Sequence, residues 1–213
     1  MTADRSHAPD SPTGLRERKK RQTREALSWA ALRLAVERGL ENVRVEDIAA
    51  EAGVSARTFN NYFSGKYEAI VSRSVDRAGE AAAALRTRPA DEPLWDAITC
   101  AMMAPFEGPE RTPTPEWTAG VRLMMNELAL QGEYLKGGMA AAREFAVAVA
   151  ERTGTDADRD LYPSLVGGAV QAALNAATEQ WLRCDPPVPM APLLRDALRL
   201  VATGLPDPSA GQA

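Results

Sequence analysis

Hydrophobic residues along most of the chain recur every three or four positions, which is the spacing of amphipathic helices. Sustained alternation of apolar and polar residues, β-branched runs and Asn-Gly turns, which mark strands and hairpins, are nearly absent. The pattern therefore predicts an all-α protein of about nine helices. Their predicted bounds are about 15–38, 45–52, 56–63, 66–87, 92–104, 115–131, 133–153, 159–183 and 190–203.

Glycine and proline separate these segments. Gly39, Gly53 and Gly154 each follow a periodic apolar segment, as expected for the residue that ends a helix. Residues 105–115 contain four prolines and one glycine and are predicted to form a loop or a kinked connector. Pro115 suits the first position of the next helix.

Residues 45–63 are predicted to form two short helices joined by a tight turn at Gly53, which is a helix-turn-helix. Ser55 is a strong N-cap for the second helix. Phe59 and Phe63 would share one face of it and pack inward. The other face would be polar and would consist of Arg57, Thr58, Asn60, Asn61 and Tyr62. The alternative, an incidental helical hairpin in a bundle, does not explain this planar hydrogen-bonding surface beside a basic segment.

The charge is unevenly distributed, although the whole chain has a formal net charge of −4. Residues 16–24, RERKKRQTR, contain six basic residues and one acidic residue. Residues 1–66 contain 12 Lys and Arg against 9 Asp and Glu, whereas residues 67–213 are net acidic. An acidic protein with a basic leading segment is predicted to bind a polyanion through its N-terminal part.

The residues available for chemistry argue against an enzyme. His7 is the single histidine, so histidine-based triads and HExxH zinc sites are excluded. Cys100 and Cys184 have no metal or redox spacing, and no nucleotide-binding loop is present. The sequence therefore predicts no catalytic residue, no metal and no cofactor. A small all-helical enzyme using carboxylate, Lys or cofactor chemistry is the alternative class.

The apolar stretches are short and interrupted by Arg, Glu or Gln, so no membrane span is expected. Residues 1–14 are polar, lack the apolar region of a secretory signal and are predicted to be a disordered tail. Together with the cysteine usage, this predicts a cytoplasmic protein. A membrane-surface protein using the basic first helix is a further alternative, but that helix lacks bulky apolar residues opposite its cations.

The segment GLENVRVEDIAAEAGVSARTFNNYFSGKYEAI resembles the DNA-binding domain of the TetR family of bacterial transcriptional regulators. The resemblance covers roughly residues 16–77. It includes a basic first helix with Thr23, the patterns IA..AGVS and TF..YF, and a lysine three residues after the last phenylalanine. It implies a sequence-specific, ligand-responsive repressor that binds a palindromic operator on double-stranded DNA.

In the family, the helix that enters the major groove corresponds to about Ala56–Phe63 of this chain. Arg57 is expected to recognise a guanine, because its guanidinium can donate hydrogen bonds to O6 and N7 of the same base. The resemblance also implies base or phosphate contacts from Ser55, Ala56 and Thr58, and backbone contacts from Tyr62, Lys66, Thr23 and Arg24.

Two positions depart from the family pattern. Asn60 stands where an aromatic residue is common, and it either reads an adenine or reaches a phosphate. Arg44 stands where a helix-capping Thr is common, and its cation is expected to contact the DNA backbone instead. Asn61 is either part of the DNA surface or a solvated residue.

The resemblance further implies a C-terminal domain that binds a ligand and forms a homodimer through the last two long helices. The segment LVGGAVQAALNAATEQWL is rich in small residues that allow close helix approach, and PLLRDALRLVA has an apolar face. A dimer would present two recognition helices to symmetric half-sites. The alternative is that these residues pack within one chain.

A pocket for a small apolar effector is expected among the helices of residues 92–182. Gln171 and Asn175 lie four residues apart on one helix and face either the pocket or the dimer interface. The stretch 88–98, RPADEPLWDAI, is similar to a subgroup of actinobacterial-type regulators with an acyl-CoA-like ligand domain. Methionine side chains are flexible and suit adaptable cavities. The apolar residues that are candidates for lining this pocket are Met102, Met103, Phe106, Trp117, Met124 and Met125. The alternative for each of them is ordinary core packing.

The predicted organisation has four parts: a disordered tail, a helix-turn-helix domain that extends to about residue 77 with the start of the fourth helix, a helical ligand-binding and dimerisation domain, and a frayed tail. Their predicted bounds are 1–14, 15–65, 66–205 and 206–213.

Overall fold

The computed structural model describes residues 12–106, 114–184 and 188–207. In these ranges the chain forms nine α-helices, two short 3-10 helices and no strand, which confirms the predicted all-α class and helix number. The 3-10 helices are Leu40–Asn42 and Ala104–Phe106. The α-helices are α1 Pro12–Arg38, α2 Val45–Glu51, α3 Ala56–Asn60, α4 Lys66–Thr87, α5 Leu94–Met103, α6 Pro115–Asn126, α7 Leu128–Thr153, α8 Leu161–Arg183 and α9 Met190–Ala202.

The chain divides into two compact units between Ile70 and Val71, inside α4. The first unit contains α1, α2, α3 and the start of α4, and the second contains the rest of α4 and α5 to α9. The predicted boundary between the helix-turn-helix domain and the C-terminal domain, at residues 65 and 66, stays a prediction. Helix α1 begins at Pro12 rather than at about Leu15, and residues 1–11 and 208–213 of the two predicted tails lie outside the described residues.

The core of the first unit is formed by the inward faces of its helices. Leu27 of α1 and Ile48 of α2 have no exposed surface. Ser28 is also buried, and its hydroxyl donates a hydrogen bond to the carbonyl oxygen of Ala69 at 2.8 Å. The buried hydroxyl is thereby satisfied, and α1 is joined to the first turn of α4.

Helix α3 is shorter than predicted, because it ends at Asn60 and not at Phe63. The amides of Asn61 and Tyr62 donate to carbonyl oxygens three residues back, which tightens the last turn. The amide of Phe63 donates to the carbonyl oxygen of Phe59 at 3.0 Å. The helical pitch therefore persists long enough to place both phenylalanines on the same side.

The break between α6 and α7 lies at Glu127, four residues before the predicted end of the sixth helix at about Gln131. Glu127 is extended, with φ −90° and ψ 115°. The side-chain amide of Gln131 donates to the carbonyl oxygen of Met125 at 2.7 Å and so replaces a helical partner that the break removes. No Gly or Pro marks this position in the sequence. Of the predicted connector, Pro105 and Phe106 are in the second 3-10 helix, and residues 107–113 lie outside the described residues.

In the second unit, α8 packs against both α7 and α9. Helix α8 approaches α7 tightly at Gly167, because a Cβ at this position would lie 2.4 Å from the carbonyl oxygen of Ala142. Leu194 and Leu198 of α9 are fully buried. No helix in the described ranges combines the length and the apolarity that crossing a membrane requires.

We expect Gly167→Ala to lower the free energy of unfolding by about 1–3 kcal/mol, because the added methyl must displace backbone. The matched control is Gly132→Ala on α7, where a Cβ meets nothing within 4 Å. That change should raise the stability by about 0.5–1 kcal/mol, the helix-propensity gain alone. Urea unfolding at one protein concentration measures both, and equal effects would contradict the close approach at Gly167.

Candidate nucleic-acid interface and effector cavity

A Schellman motif ends α2 and turns the chain into α3. The amide of Val54 donates to the carbonyl oxygen of Ala49 at 2.9 Å, and the amide of Gly53 donates to that of Ala50 at 3.1 Å. Gly53 has a φ of 70°, in the left-handed region that favours a residue without Cβ. The predicted tight turn at Gly53 is confirmed.

Ser55 caps α3, as predicted. Its Oγ accepts a hydrogen bond from the amide of Thr58 at 3.1 Å and lies 2.9 Å from the hydroxyl oxygen of Thr58. The two hydroxyl groups are therefore hydrogen-bonded to each other. Ala56, Thr58 and Tyr62 are half-buried, whereas Ser55 is exposed.

Phe59 and Phe63 anchor α3 in the first unit, with 0% and 2% of their surface exposed. Their ring centroids lie 5.6 Å apart with the planes tilted by 49°, a favourable aromatic geometry. On the other side, Arg57, Asn60 and Asn61 are exposed, and their side chains make no hydrogen bond or ion pair with another described residue. The helix thus presents a polar outer face whose donors are available to a ligand.

The first turns of α1 form an exposed basic surface. Residues 14–22 are exposed throughout, including Arg16, Lys19, Lys20 and Arg21. Arg21 forms an i, i+4 ion pair with Glu25 at 3.9 Å, which is exposed and weak. This segment can contribute a diffuse attraction to a polyanion.

Arg24 has a structural role that the sequence analysis missed. Its Nη1 donates to the carbonyl oxygen of Tyr62 at 3.2 Å, and its Cζ lies 4.5 Å from the ring centroid of Phe63. These contacts tie α1 to the segment that follows α3. The signal in the sequence is that Arg24 falls three and four residues before the buried Leu27 and Ser28, on the inward face of α1.

The hydroxyl of Thr23 and the backbone amide of Arg44 each donate a hydrogen bond to a residue three or four positions away. The hydroxyl of Thr23 donates to the carbonyl oxygen of Lys19 at 3.0 Å, which leaves its lone pairs as acceptors only. The side chain of Arg44 is exposed, and its amide donates to Oδ2 of Asp47 at 3.1 Å. Asp47 thereby supplies one of the two hydrogen bonds of a capping box at the start of α2.

Lys66 bridges two turns of the first unit. Its Nζ donates to the carbonyl oxygen of Leu40 at 2.8 Å and to that of Val43 at 3.1 Å. Both carbonyls belong to the segment between α1 and α2, which the ammonium group joins to the start of α4. Two of its three donors are used here, so the predicted phosphate contact would depend on the third and stays a prediction.

The second unit contains a cavity of about 80 Å³. Its walls come from α4, α5, α6, α7, α8, the second 3-10 helix and the first residue of α9. Most of the lining is apolar, and the predicted ligand-binding residues that line it are Met102, Phe106, Trp117, Met124 and Met125. Met103 is buried but does not line the cavity. A role for any of them in ligand binding stays a prediction.

Gln171 and Asn175 do not line the cavity but are joined to it through Tyr134, which does. The hydroxyl of Tyr134 donates to Oδ1 of Asn175 at 3.3 Å, and Nε2 of Gln171 donates to the same oxygen at 2.9 Å. Burial raises the pKa of the Tyr134 phenol above its ordinary value of 10.0. The phenol is therefore neutral at physiological pH and can act as this donor.

The cavity also has lining residues that the sequence analysis did not name. Ser74, Arg77, Ala78 and Ala81 are contributed by α4, at the i, i+3, i+4 and i+7 spacing that would have identified this face. The Cζ of Arg77 lies 4.4 Å from the ring centroid of Trp117. The further lining residues are Pro105, Val121, Tyr134, Leu174, Thr178, Trp181 and Met190.

Two family models match the chain. The model of bacterial regulatory proteins of the TetR family matches residues 29–70, and the model of the MftR C-terminal domain matches residues 92–206. The HTH-type transcriptional regulator TcmR of Streptomyces glaucescens is 33% identical over 186 residues, which cover 83% of this chain and 80% of TcmR. MftR of Mycobacterium tuberculosis is 26% identical over 88% of this chain and 93% of its own length.

Solved structures share the fold. A TetR-family regulator from Syntrophomonas wolfei aligns with a TM-score of 0.59 at 18% identity, covering 88% of this chain and 98% of its own. FadR of Thermus thermophilus in complex with lauroyl-CoA aligns with a TM-score of 0.54 at 18% identity, covering 88% and 97%. The SmeT–triclosan complex aligns with a TM-score of 0.54 at 19% identity, covering 88% and 98%.

The helix-turn-helix, the match to the model of TetR-family bacterial regulatory proteins and the similarity to TcmR identify a bacterial DNA-binding regulator of transcription. The chain belongs to the TetR family, as the resemblance of its N-terminal segment predicted. Its C-terminal match is to the MftR C-terminal domain. The suggested acyl-CoA-like subgroup stays a prediction.

We expect Lys66→Met to lower the free energy of unfolding by about 1–3 kcal/mol, because the carbonyl oxygens of Leu40 and Val43 lose their donor. The matched control is Lys20→Met, which removes the same charge from an exposed position of α1. The control should leave stability within about 0.5 kcal/mol of the original protein. Chemical denaturation measures both, and equal stability of the two variants would rule out the bridging role of Lys66.

Proposed function

We propose that this regulator binds a palindromic operator on double-stranded DNA as a homodimer in the cytoplasm, and that a small apolar effector in the cavity releases it. The observation that supports DNA binding is the outer face of α3, where Arg57, Asn60 and Asn61 are exposed opposite two buried phenylalanines. A helix-turn-helix reads base edges through such a face.

The proposed roles of the interface residues follow their positions. Arg57 reads a guanine, Asn60 reads an adenine or bonds a phosphate, and Asn61 lies at the edge of the contact. Ser55, Ala56, Thr58 and the exposed Arg44 lie at helix N-termini, where phosphates are favoured. The remaining four residues contact the phosphate backbone of the DNA, and they are Thr23, Arg24, Tyr62 and Lys66.

The outer face of α8 supports the proposed dimer. Leu161 and Leu165 are 78% and 61% exposed, and Gly168, Ala172 and Ala176 continue the same face as small, exposed residues. A Cβ at Gly168 meets nothing within 4 Å. Such a face lets a second helix approach closely and covers the two leucines when it does. Together with α9 it would form a four-helix bundle with the partner chain.

The proposed response to effector is a shift in population between two conformations. Helix α4 supports it, because its first turn carries the Lys66 and Ala69 contacts of the first unit, while Ser74 and Arg77 line the cavity. A ligand that favours one arrangement of α4 would change the spacing of the two recognition helices in the dimer. Solved complexes of two proteins of this fold, one with lauroyl-CoA and one with triclosan, support the proposal that this chain binds a small molecule.

Fluorescence anisotropy of the protein on duplex DNA from upstream of its own gene tests this function, with a scrambled duplex as control. We expect tight binding to the upstream duplex alone, with affinity falling steeply as salt rises. Absence of binding to either duplex at low salt would contradict the DNA-binding proposal. An effector that saturates the cavity and changes neither DNA affinity nor half-site spacing would contradict the release mechanism.

We expect Arg57→Ala to weaken operator binding by about 1–3 kcal/mol and to relax the preference at one base position. The matched control is Arg38→Ala, which removes an exposed cation at the end of α1, away from α3 in sequence. Its effect should be small and equal on operator and scrambled DNA. If Arg57→Ala reduces binding to both duplexes equally, Arg57 does not read a base.

We expect Ala172→Arg to convert the dimer to a monomer, because a long charged side chain would enter the centre of the α8 face. Ala140→Arg on α7 adds the same residue at another exposed position and should leave the dimer intact. Analytical ultracentrifugation over a range of protein concentrations separates these outcomes. A dimer that tolerates Ala172→Arg would place the interface elsewhere.

A further inference from the structure

Thioether sulfurs and aromatic rings form half of the cavity wall. Among the lining residues that the structure describes, four are methionines and four carry an aromatic ring. The methionines come from α5, α6 and the first residue of α9, and the rings come from the second 3-10 helix, α6, α7 and α8. Both kinds of side chain therefore reach the cavity from several of its walls.

Two of the rings are held by hydrogen bonds at their polar atoms. The indole Nε1 of Trp181 donates to the carbonyl oxygen of Val188 at 2.8 Å. The hydroxyl of Tyr134 donates to Oδ1 of Asn175 at 3.3 Å. A ring that is bonded in this way keeps one orientation, so it presents a fixed surface to the cavity.

The other two rings lie against a guanidinium. The Cζ of Arg77, the one charged side chain among the described lining residues, is 4.4 Å from the ring centroid of Trp117 and 5.6 Å from that of Phe106. The backbone amide of Trp117 also donates to Oγ1 of Thr114 at 3.1 Å, at the start of α6. These contacts order both rings before any ligand enters.

The methionines form the adaptable part of the wall. The cavity of about 80 Å³ is smaller than the roughly 150 Å³ cavity that admits benzene in a well-studied case. Met102, Met124, Met125 and Met190 have several rotatable bonds and can change rotamer to admit a ligand. Since a flat ring needs a thinner space than a saturated ring with as many carbon atoms, it requires the smaller adjustment.

Three polar hydrogens of the wall are already bonded to acceptors within the protein. They are the indole hydrogen of Trp181, the hydroxyl hydrogen of Tyr134 and that of Thr178, which donates to the carbonyl oxygen of Leu174 at 2.8 Å. A neutral ring that enters the cavity therefore leaves none of these three donors without an acceptor.

We propose that the cavity selects planar aromatic molecules, and that the effector belongs to this class. This rests on the proposed function of the cavity and names the chemical class of its ligand. An aromatic ligand can pack against the fixed rings in offset or edge-to-face geometry, and thioether sulfurs are favourable neighbours at about 5 Å from a ring. A saturated ring or acyl chain is buried in the same place but makes neither kind of contact.

The test compares three neutral amides that each contain nine carbon atoms, which are 3-phenylpropanamide, 3-cyclohexylpropanamide and nonanamide. Trp117 and Trp181 line the cavity, so their emission reports its occupation, and calorimetry gives the affinity for the full-length protein. Burial of apolar surface alone would favour the two saturated probes, which have more of it. We expect the phenyl probe to bind at least about fivefold more tightly than either saturated probe.

Replacing methionine by leucine removes the sulfur and nearly conserves the volume. The combined change Met102→Leu and Met125→Leu should reduce the preference for the phenyl probe by about threefold, because two sulfurs leave the wall. The matched control combines Met103→Leu with Met139→Leu, since neither of these methionines lines the cavity. It should keep the full preference. If the first variant does not fold, Met125→Leu alone replaces it, because Met125 is only half-buried.

The outcomes separate this inference from the proposed function. A preference for the phenyl probe that falls in the Met102 and Met125 variant and persists in the control supports the inference. Equal or tighter binding of a saturated probe overturns it but leaves the cavity as an effector site. A preference that is unchanged without the two sulfurs, or that falls equally in the control, also overturns it. If no probe changes the tryptophan emission or releases heat, both the inference and the effector role of the cavity fail.

Discussion

The burial of Phe59 and Phe63 is the interaction on which the proposed DNA-binding surface depends. A five-residue helix is too short to be stable by its own hydrogen bonds, so α3 exists because its two aromatic side chains enter the core of the first unit. Their burial fixes the rotation of the helix about its axis. Since side chains at the opposite positions must then point outward, Arg57, Asn60 and Asn61 are exposed as a consequence of packing.

The cations of the first unit serve two different purposes. Arg24 and Lys66 are turned inward, where they donate hydrogen bonds to carbonyl oxygens near the ends of short helices. The basic residues at the start of α1 and Arg57 are exposed. A count of positive charge along the sequence treats all of them as one DNA-facing surface, whereas the structure shows that some of that charge maintains the shape of the surface.

In the second unit, small residues and sulfur-containing side chains have different effects on packing. Gly167 permits a close approach of α7 and α8, whereas the methionines and aromatic rings between α4, α5 and α6 leave a cavity. Among the described residues that line this largely apolar cavity, the one cation is Arg77, which belongs to α4. The helix that lines the cavity is therefore also the helix whose first turn is bonded within the DNA-binding unit.

The sequence by itself determined the helical class, the helix-turn-helix, the turn at Gly53 and the N-cap at Ser55, because these depend on local spacing and on single-residue backbone preferences. Local patterns did not show the end of α3 at Asn60 or the break at Glu127, since no Gly or Pro marks either position and both depend on hydrogen bonds made around them. Five of the eight candidate cavity residues line the cavity, because a methionine-rich cluster was visible in the sequence. The inward roles of Arg24 and Lys66, the place of Arg77 in the cavity wall and the link from Tyr134 to Gln171 were decided by tertiary structure alone, since each joins residues that are distant along the chain.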